Sequence, residues 1–497
     1  MGDLTCCSVL KQAGMTVAAL ALTTLIAHGA EEQSEGQEEA VDNTSLVPKF
    51  TFATTLEEQE EQLKTNPLIV QFREARKQHA DDRYRPLYHY ICPVGAIGDP
   101  NGLSFWKGRW HMFYQVWPPE DHRQHWGHAV STDLIHWRDL PYAIYPGPER
   151  ASFSGGAIVE EDRVVAMYLG HHFGEMVATS SDPLLLNWEK LTEGAVIPEN
   201  MPDGTHREVF DPGIWKKDGM YYAVTQRYWA DMEGQLYRSD NLVDWETLHP
   251  FVENDSYSLP GDDLSCPYVW PIGDRHIMTF FSHPRGGRYF LGDYDKERDK
   301  FVVTAGGDFN FGAVAPSGVH APSSFPDGEG GVIMILNTNH GIGSYLGGGQ
   351  FMTLPRRLTL RSHNELGNEP AGDIESLRYD HQQMGPTKLS ANQEVVIENI
   401  RGNAIEIIAE IESKDIMTVN GMLPSIVEMN VLRSPNKEEY TRITFFRGRG
   451  RFGAFGRKGG ESLISIDSTY SSTLPNNLSR APETAPISLD PGEPLKL

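Results

Sequence analysis

From Leu87 onward the chain alternates short apolar, β-rich runs with turns of Gly, Asp and Pro, and the alternation returns at a fixed interval. Polar turns followed by apolar strands begin near Arg109 (Trp-His-Met-Phe-Tyr), Arg163 (Val-Val-Ala-Met-Tyr), Gly219 (Met-Tyr-Tyr-Ala-Val), Arg275 (His-Ile-Met-Thr-Phe-Phe) and Gly331 (Val-Ile-Met-Ile-Leu), about 54 to 56 residues apart. A second echo runs beside the first: Ser131-Thr132-Asp133 with Trp137, Ser180-Ser181-Asp182 with Trp188, and Ser239-Asp240 with Trp245, tryptophans expected to pack the repeats. A unit of this length holds four short strands and cannot bury its own faces, so five units arranged radially predict a five-bladed β-propeller. An array of β-sandwiches is the competing architecture, but one repeat lacks the size of an independent domain.

The flanks differ in texture. Residues from about Thr55 to Arg83 mix Leu, Ile, Val and Phe with charged side chains around Pro67 and predict one or two amphipathic helices packed outside the main body. After Gly347, the run Phe351 to Leu360 reads as a linker and bridging strand. Beyond about Pro386, alternating runs at Glu394–Ile397, Ile405–Ile411 and Tyr440–Phe446 predict a second all-β domain, a sandwich. The expected map is all-β: a signal peptide at 1–30, an acidic leader and helical segment at 31–84, the propeller at 85–350 (to about 360 with its linker strand), a linker at 361–385, and a β-sandwich at 386–497.

Composition narrows the partners. At 497 residues the chain exceeds what one core serves, and 43 basic against 68 acidic residues give a net charge of −25, which speaks against nucleic acid. The short basic turn Arg447-Gly448-Arg449-Gly450-Arg451 reads accordingly as a solvated hairpin. Lys11, the apolar run Met15–Ala27 and the small-residue exit Gly29-Ala30 form a signal-peptide pattern, shorter than the roughly 20 residues that span a bilayer. A membrane anchor is the alternative; cleavage predicts a secreted or periplasmic product with no membrane partner. Cys6 and Cys7 leave with that segment. Cys92 and Cys266 remain, too few for a disulfide scaffold and too far apart for a Cys-x-x-Cys zinc site, and they are expected as free thiols because blades one and four do not adjoin.

In a propeller the inner strand of every blade lines the central channel, and equivalent positions converge at one end. Reading back about eight to thirteen residues from each repeat start gives Asp99, Phe153-Ser154-Gly155, Asp211-Pro212, Asp262-Asp263-Leu264-Ser265-Cys266-Pro267 and His320-Ala321-Pro322. Carboxylates at one phase in blades one, three and four suit glycoside hydrolysis, in which one carboxylate attacks or stabilises the anomeric carbon and another protonates the leaving oxygen. Gln115, Trp117, Trp126-Gly127-His128 and Ser154 add flat faces and neutral hydrogen-bonding groups suited to an uncharged sugar. A metal held by three aspartates is the chemical alternative, though no loop shows the dense alternating Asp/Asn ligands of a calcium site.

Gly98-Asp99-Pro100-Asn101-Gly102, Arg109-Trp110-His111-Met112-Phe113-Tyr114-Gln115, Trp126-Gly127-His128 through Trp137, Phe153-Ser154-Gly155, Asp211-Pro212, Cys266-Pro267 and Met352-Thr353-Leu354-Pro355-Arg356 together resemble glycoside hydrolase family 32, the invertases, levanases and inulinases. The resemblance runs in order from about Tyr88 to the C-terminus. It implies a five-bladed propeller plus β-sandwich, retaining cleavage of β-fructofuranosyl links in a disaccharide or oligosaccharide, and no cofactor. By position, Asp99 would be the nucleophile and Asp211 the carboxylate that stabilises the transition state through sugar hydroxyls, with Asn101, Gln115, Trp126 and Ser154 lining the fructose subsite.

Two departures change the picture. The family's general acid, a Glu directly before Cys-Pro, is here Ser265, which cannot protonate an alkoxide near neutral pH. Asp263 is the replacement favoured by strand periodicity, with Asp262 as the alternative. Phe210 stands where the family carries a substrate-binding Arg, and Arg207 is placed to compensate. A catalytically silent carbohydrate-binding propeller, or a glycosidase for another furanoside, therefore stays open beside the fructosidase. The match to the late sandwich strands stops at Leu497, which predicts a sandwich incomplete at its C-terminus. Linkage, chain length of the substrate and oligomeric state are not encoded in these patterns.

Overall fold

The computed structural model describes residues 42–497 apart from 201–203, 205, 227–230, 313–317, 339–349, 413–415, 419–420, 424, 450–460, 476, 478–479, 488 and 490–492. The signal-peptide pattern lies outside them. Two helices precede the strands, α1 (Leu56–Thr65) and α2 (Pro67–Gln78). Thr55 caps α1 through its side chain, and Asn66 caps α2, accepting from the N–H groups of Leu68 and Ile69. Pro67 does not break a helix but opens the second one, where its missing N–H costs nothing. Leu63, Leu68, Ile69 and Phe72 are buried in one cluster with Met112, Val116 and Tyr142 of the first blade, and Arg76 clamps Asp139 with bonds of 2.5 and 2.7 Å.

Five sheets follow in chain order, antiparallel except where Val252–Glu253 runs parallel to Lys300–Asp308 at the edge of the fourth. Their inner strands are Ala96–Trp106, Ser152–Val159, Phe210–Lys217, Ser265–Ile272 and Val319–Pro326. Each packs on the inner strand of the next, and the fifth packs on the first, which closes the ring. The five apolar repeat runs are the second strands: Arg109–Trp117, Val164–Gly170, Met220–Gln226, Arg275–Ser282 and Val332–Thr338. The fifth sheet takes its outer strands from Arg356–Ser362 and Glu365–Pro370, where the sequence reading placed a bridging strand and linker. The Ser-Asp echo is a shared turn: Asp133 and Asp182 accept backbone N–H groups just after the third strands of blades one and two. In blade three this role falls to Asn241, one residue beyond the Asp240 that the pattern suggested.

Every inner strand carries the same irregularity. Ile97 to Pro100 faces Val116 to Tyr114, Ser152 to Gly155 faces Gly170 to Tyr168, Phe210 to Gly213 faces Gln226 to Val224, Ser265 to Tyr268 faces Phe281 to Thr279, and Val319 to Pro322 faces Thr338 to Leu336. Each is a β-bulge with one extra residue on the inner strand, and all five stand at the phase predicted for convergence. One layer on, the Tyr268 hydroxyl donates to the Gly155 carbonyl at 2.9 Å, accepts the Gly102 N–H at 3.2 Å and lies 3.1 Å from Ser323 Oγ, which accepts the Leu103 N–H. Blades one, two, four and five are thus tied through one buried phenol. Blades three and four approach so closely that a Cβ on Gly213 would lie 2.0 Å from the Pro267 carbonyl oxygen.

The C-terminal β-sandwich contributes a four-stranded antiparallel meander, Ser425–Val431, Thr441–Arg449, Glu461–Asp467 and Glu483–Ile487, with short pairs at Ile416–Thr418 and Gly421–Leu423 and at Glu410–Ile411 and Leu495–Lys496. The alternating run Glu394–Ile397 is not a strand: Val395 and Val396 are exposed and no ladder pairs them. Of Ile405–Ile411, only the last three residues pair their backbone, Ala409 with Leu497 and Glu410–Ile411 with Leu495–Lys496. Alternation supplies a face, but a strand also needs a neighbour for its N–H and C=O groups. Cys92 and Cys266 are buried and unbridged.

Tyr268→Phe removes the axial hydroxyl and orphans two backbone groups, each costing about 1–3 kcal/mol. Urea melts followed by tryptophan fluorescence should show a lower midpoint at unchanged slope; a midpoint equal to wild type would show that the axial bonds contribute nothing to the ring.

Candidate active site

The bulges explain why side chains reach the axis at all. An extra residue breaks the alternation of the inner strand and re-aims what it carries. Asp211 at φ 47° and Cys266 at φ 49°, both on bulges, sit in the left-handed region that non-glycine residues avoid. In blade four the bulge residue is Cys266, and Asp262 and Asp263 precede the strand.

Asp99, half-buried, is held by neutral donors. Ser154 Oγ donates to its Oδ2 at 2.9 Å and Asn337 Nδ2 to its Oδ1 at 3.0 Å. A chain of amides stands behind: Gln124 Nε2 donates to Gln115 Oε1 at 3.2 Å, and Gln115 Nε2 to Ser154 Oγ at 2.6 Å. The carboxylate is thereby oriented without a counter-charge among these donors. Asp211, 9% exposed, receives the Cys266 thiol at 3.6 Å. Burial pushes its carboxyl up to about 7, the charge of Asp99 adds to the rise, and His283 and the thiol oppose it. Asp99, Asp211, Asp263 and His283 therefore act on one another electrostatically.

Asp262 and Asp263, adjacent in sequence, part company. Asp262 accepts the Ser282 hydroxyl (2.9 Å) on Oδ1 and the Leu259 N–H (2.7 Å), Arg285 (3.0 Å) and Arg288 (2.9 Å) on Oδ2, so both its oxygens are committed, one of them to an ion cluster that Asp308 completes. Burial alone would raise its carboxyl, but these donors and guanidinium charges hold it below the usual range. Asp262 as the alternative acid is corrected on that geometry. Asp263 instead accepts the His283 N–H at 2.8 Å, His283 Nδ1 at 2.6 Å and the Ser265 hydroxyl at 2.9 Å. Ser265 also lies 3.1 Å from Gln226 Oε1.

Trp126 does not line a cavity: it is 0% exposed, its indole N–H donates to the Phe153 carbonyl at 2.7 Å, and it packs against Phe113 and Tyr168 as the floor of blades one and two. Asn101 is buried, with no partner for its amide nitrogen among the described residues. Arg207 lays its guanidinium over the Tyr237 ring, 5.7 Å from the centroid, and its N–H bonds the Glu199 carbonyl. Of the groups at the far ends of the second strands, the sequence reading named Gln115 and missed the others. Gln115, Gln226, Asn337 and His283, just past Ser282, occupy that position in blades one, three, five and four. A second phase, one strand further out, would have found them.

Residues 89–370 match the family model "Glycosyl hydrolases family 32 N-terminal domain". The chain is 28% identical over 368 residues to sucrose-6-phosphate hydrolase of Escherichia coli, covering 67% of this chain and 74% of that protein. It is 30% identical over 252 residues to levanase of Bacillus subtilis, 44% of this chain and 36% of that one. Among solved structures, fructan 1-exohydrolase IIa from Cichorium intybus superposes with a TM-score of 0.63 at 20% identity, over 84% of this chain and 87% of that one, a likeness of fold.

Asp262→Asn should cost about 3 kcal/mol, because it leaves Arg288 buried beside a neutral group. Since the folded carboxyl lies below its unfolded value of about 3.9, its contribution is present above that pH and lost below it, so the deficit against wild type should shrink as pH falls under about 4. Denaturant midpoints at pH 7 and pH 3.5 check both statements.

Proposed function

The chain belongs to glycosyl hydrolase family 32, and we propose that its propeller is the catalytic domain of a β-fructofuranosidase acting on sucrose-, levan- or inulin-type links by a retaining, two-carboxylate mechanism. The observation that carries this reading is Asp99, presented on the blade-one bulge with its carboxylate oriented by Ser154 and Asn337, and with Asp211 electrostatically coupled to it. Similarity to sucrose-6-phosphate hydrolase, raffinose invertase of Escherichia coli and levanase supports the substrate class.

Asp99 attacks the anomeric carbon as the glycosidic bond breaks, giving a glycosyl-enzyme that water then hydrolyses. Asp211 accepts hydrogen bonds from sugar hydroxyls. Burial and the charge of Asp99 push its carboxyl up to about 7, and growing positive charge on the sugar shifts it toward the anion. It consequently binds the transition state better than the ground state. Asn101, Gln115 and Ser154 belong to the fructose subsite in this reading, two of them through Asp99. The apolar run Met15–Ala27 with its small-residue exit supports export, as a secreted or periplasmic enzyme.

Ser265 at the position of the expected acid favours one other reading, a propeller that binds fructosides without turnover. Fructose release from sucrose, inulin and levan separates the two. Asp99→Ala should lower turnover by about three orders of magnitude or more with circular dichroism unchanged. Saturable binding of fructosides with no release, even from an activated aryl fructoside, would establish the binding module instead.

A further inference from the structure

The reaction needs a proton donor, and among the described residues Asp262, Asp263 and Glu175 are not placed to be one. Asp262 is committed to Arg285 and Arg288. Asp263 is fully buried, and its two oxygens accept three donors, so it offers a substrate neither surface nor a proton. Glu175 feels the charge of Asp211 but has no exposed surface, and burial pushes its carboxyl well up. Ser265 is buried against Asp263 and Gln226.

His283 differs in each respect. It follows the second strand of blade four and so stands at the same end of its blade as the bulge, and 41% of its side chain is exposed. Its Nδ1 is anchored on Asp263, the Phe281 ring flanks it at 4.7 Å, and Asp211 and Asp99 are its other charged neighbours on the site side. Arg285, two residues on, is turned to Asp262 and Asp308. We propose that His283, anchored by Asp263, is the general acid of this site and protonates the leaving oxygen from Nε2; the proposal rests on the fructosidase reading above.

In the first step an Asp99 oxygen forms a bond to the anomeric carbon, the carbon–oxygen bond to the leaving group breaks, and its electron pair takes the Nε2 proton. Imidazolium becomes imidazole while Nδ1–H still donates to Asp263. In the second step water attacks the anomeric carbon, Nε2 takes its proton, and the bond to Asp99 breaks with its electrons returning to the carboxylate. Ser265 fits this arrangement: a hydroxyl leaves room beside Asp263 and donates to it. Burial alone would lower the imidazole, but the Asp263 hydrogen bond and the charges of Asp263, Asp211 and Asp99 outweigh it and hold the ring above its usual value of about 6.5. The acid form is the protonated one, so turnover of substrates with poor leaving groups falls as pH rises beyond the ordinary imidazole range.

The test compares sucrose, whose leaving group needs a proton, with p-nitrophenyl β-D-fructofuranoside, whose leaving group does not. His283→Gln should lower kcat/KM on sucrose by about 10²- to 10⁴-fold and on the aryl fructoside by less than about tenfold, and it should abolish the alkaline limb for sucrose. Asp263→Asn, which tests the anchoring role, should move that limb to lower pH, whereas a purely structural loss would lower activity at every pH and leave the limb in place. If wild type turns over both substrates and His283→Gln slows them equally or not at all, this assignment alone is overturned. If wild type turns over neither, the fructosidase reading fails and the assignment falls with it.

Discussion

One buried phenol sets the distance between blades. The Tyr268 hydroxyl bonds Gly155, which closes the bulge of blade two, and Gly102, two residues past the Pro100 that closes the bulge of blade one, and it stands beside Ser323 of blade five, so the spacing of four inner strands is fixed one layer from the reactive groups. Burial raises its ionisation well above the ordinary range, and the hydroxyl stays a neutral donor and acceptor. A propeller has no crossing helix to rigidify its axis. Polar contacts among inner strands do that work here, and the contact of Gly213 with Pro267 shows how little space they leave.

On that frame, five bulges at one phase convert strands into mounts for side chains. The positive φ angles of Asp211 and Cys266 are the local cost. Neutral amides and hydroxyls then hold Asp99, which keeps the charge on the carboxylate instead of spreading it over a counter-ion. Asp211 lies under the opposite influence, buried beside another acid, and rises to about 7. Asp211 acquires its raised proton affinity from its surroundings alone.

Asp262 and Asp263 make the same point at closer range. One residue apart, they enter different networks: Asp262 neutralises two arginines within the blade, and Asp263 turns to the backbone and ring of His283.

The five-fold recurrence of apolar runs, the phase of Asp99, Ser154 and Asp211, and the helices around Pro67 were all legible along the chain, because period and turn chemistry are local properties. Trp126 was misplaced because an aromatic beside a reactive motif looks alike in sequence whether it faces a sugar or packs beneath one. The Glu394–Ile397 run failed as a strand because pairing is decided by a neighbour far away in sequence. Asn337 and His283 lie 238 and 184 residues from Asp99 and were invisible for the same reason. Sequence by itself determined that carboxylates converge at one end of a ring. Only the tertiary structure decided which of them is committed to arginine, which is oriented by amides, and which stands behind a histidine, since those assignments depend on distances between different strands.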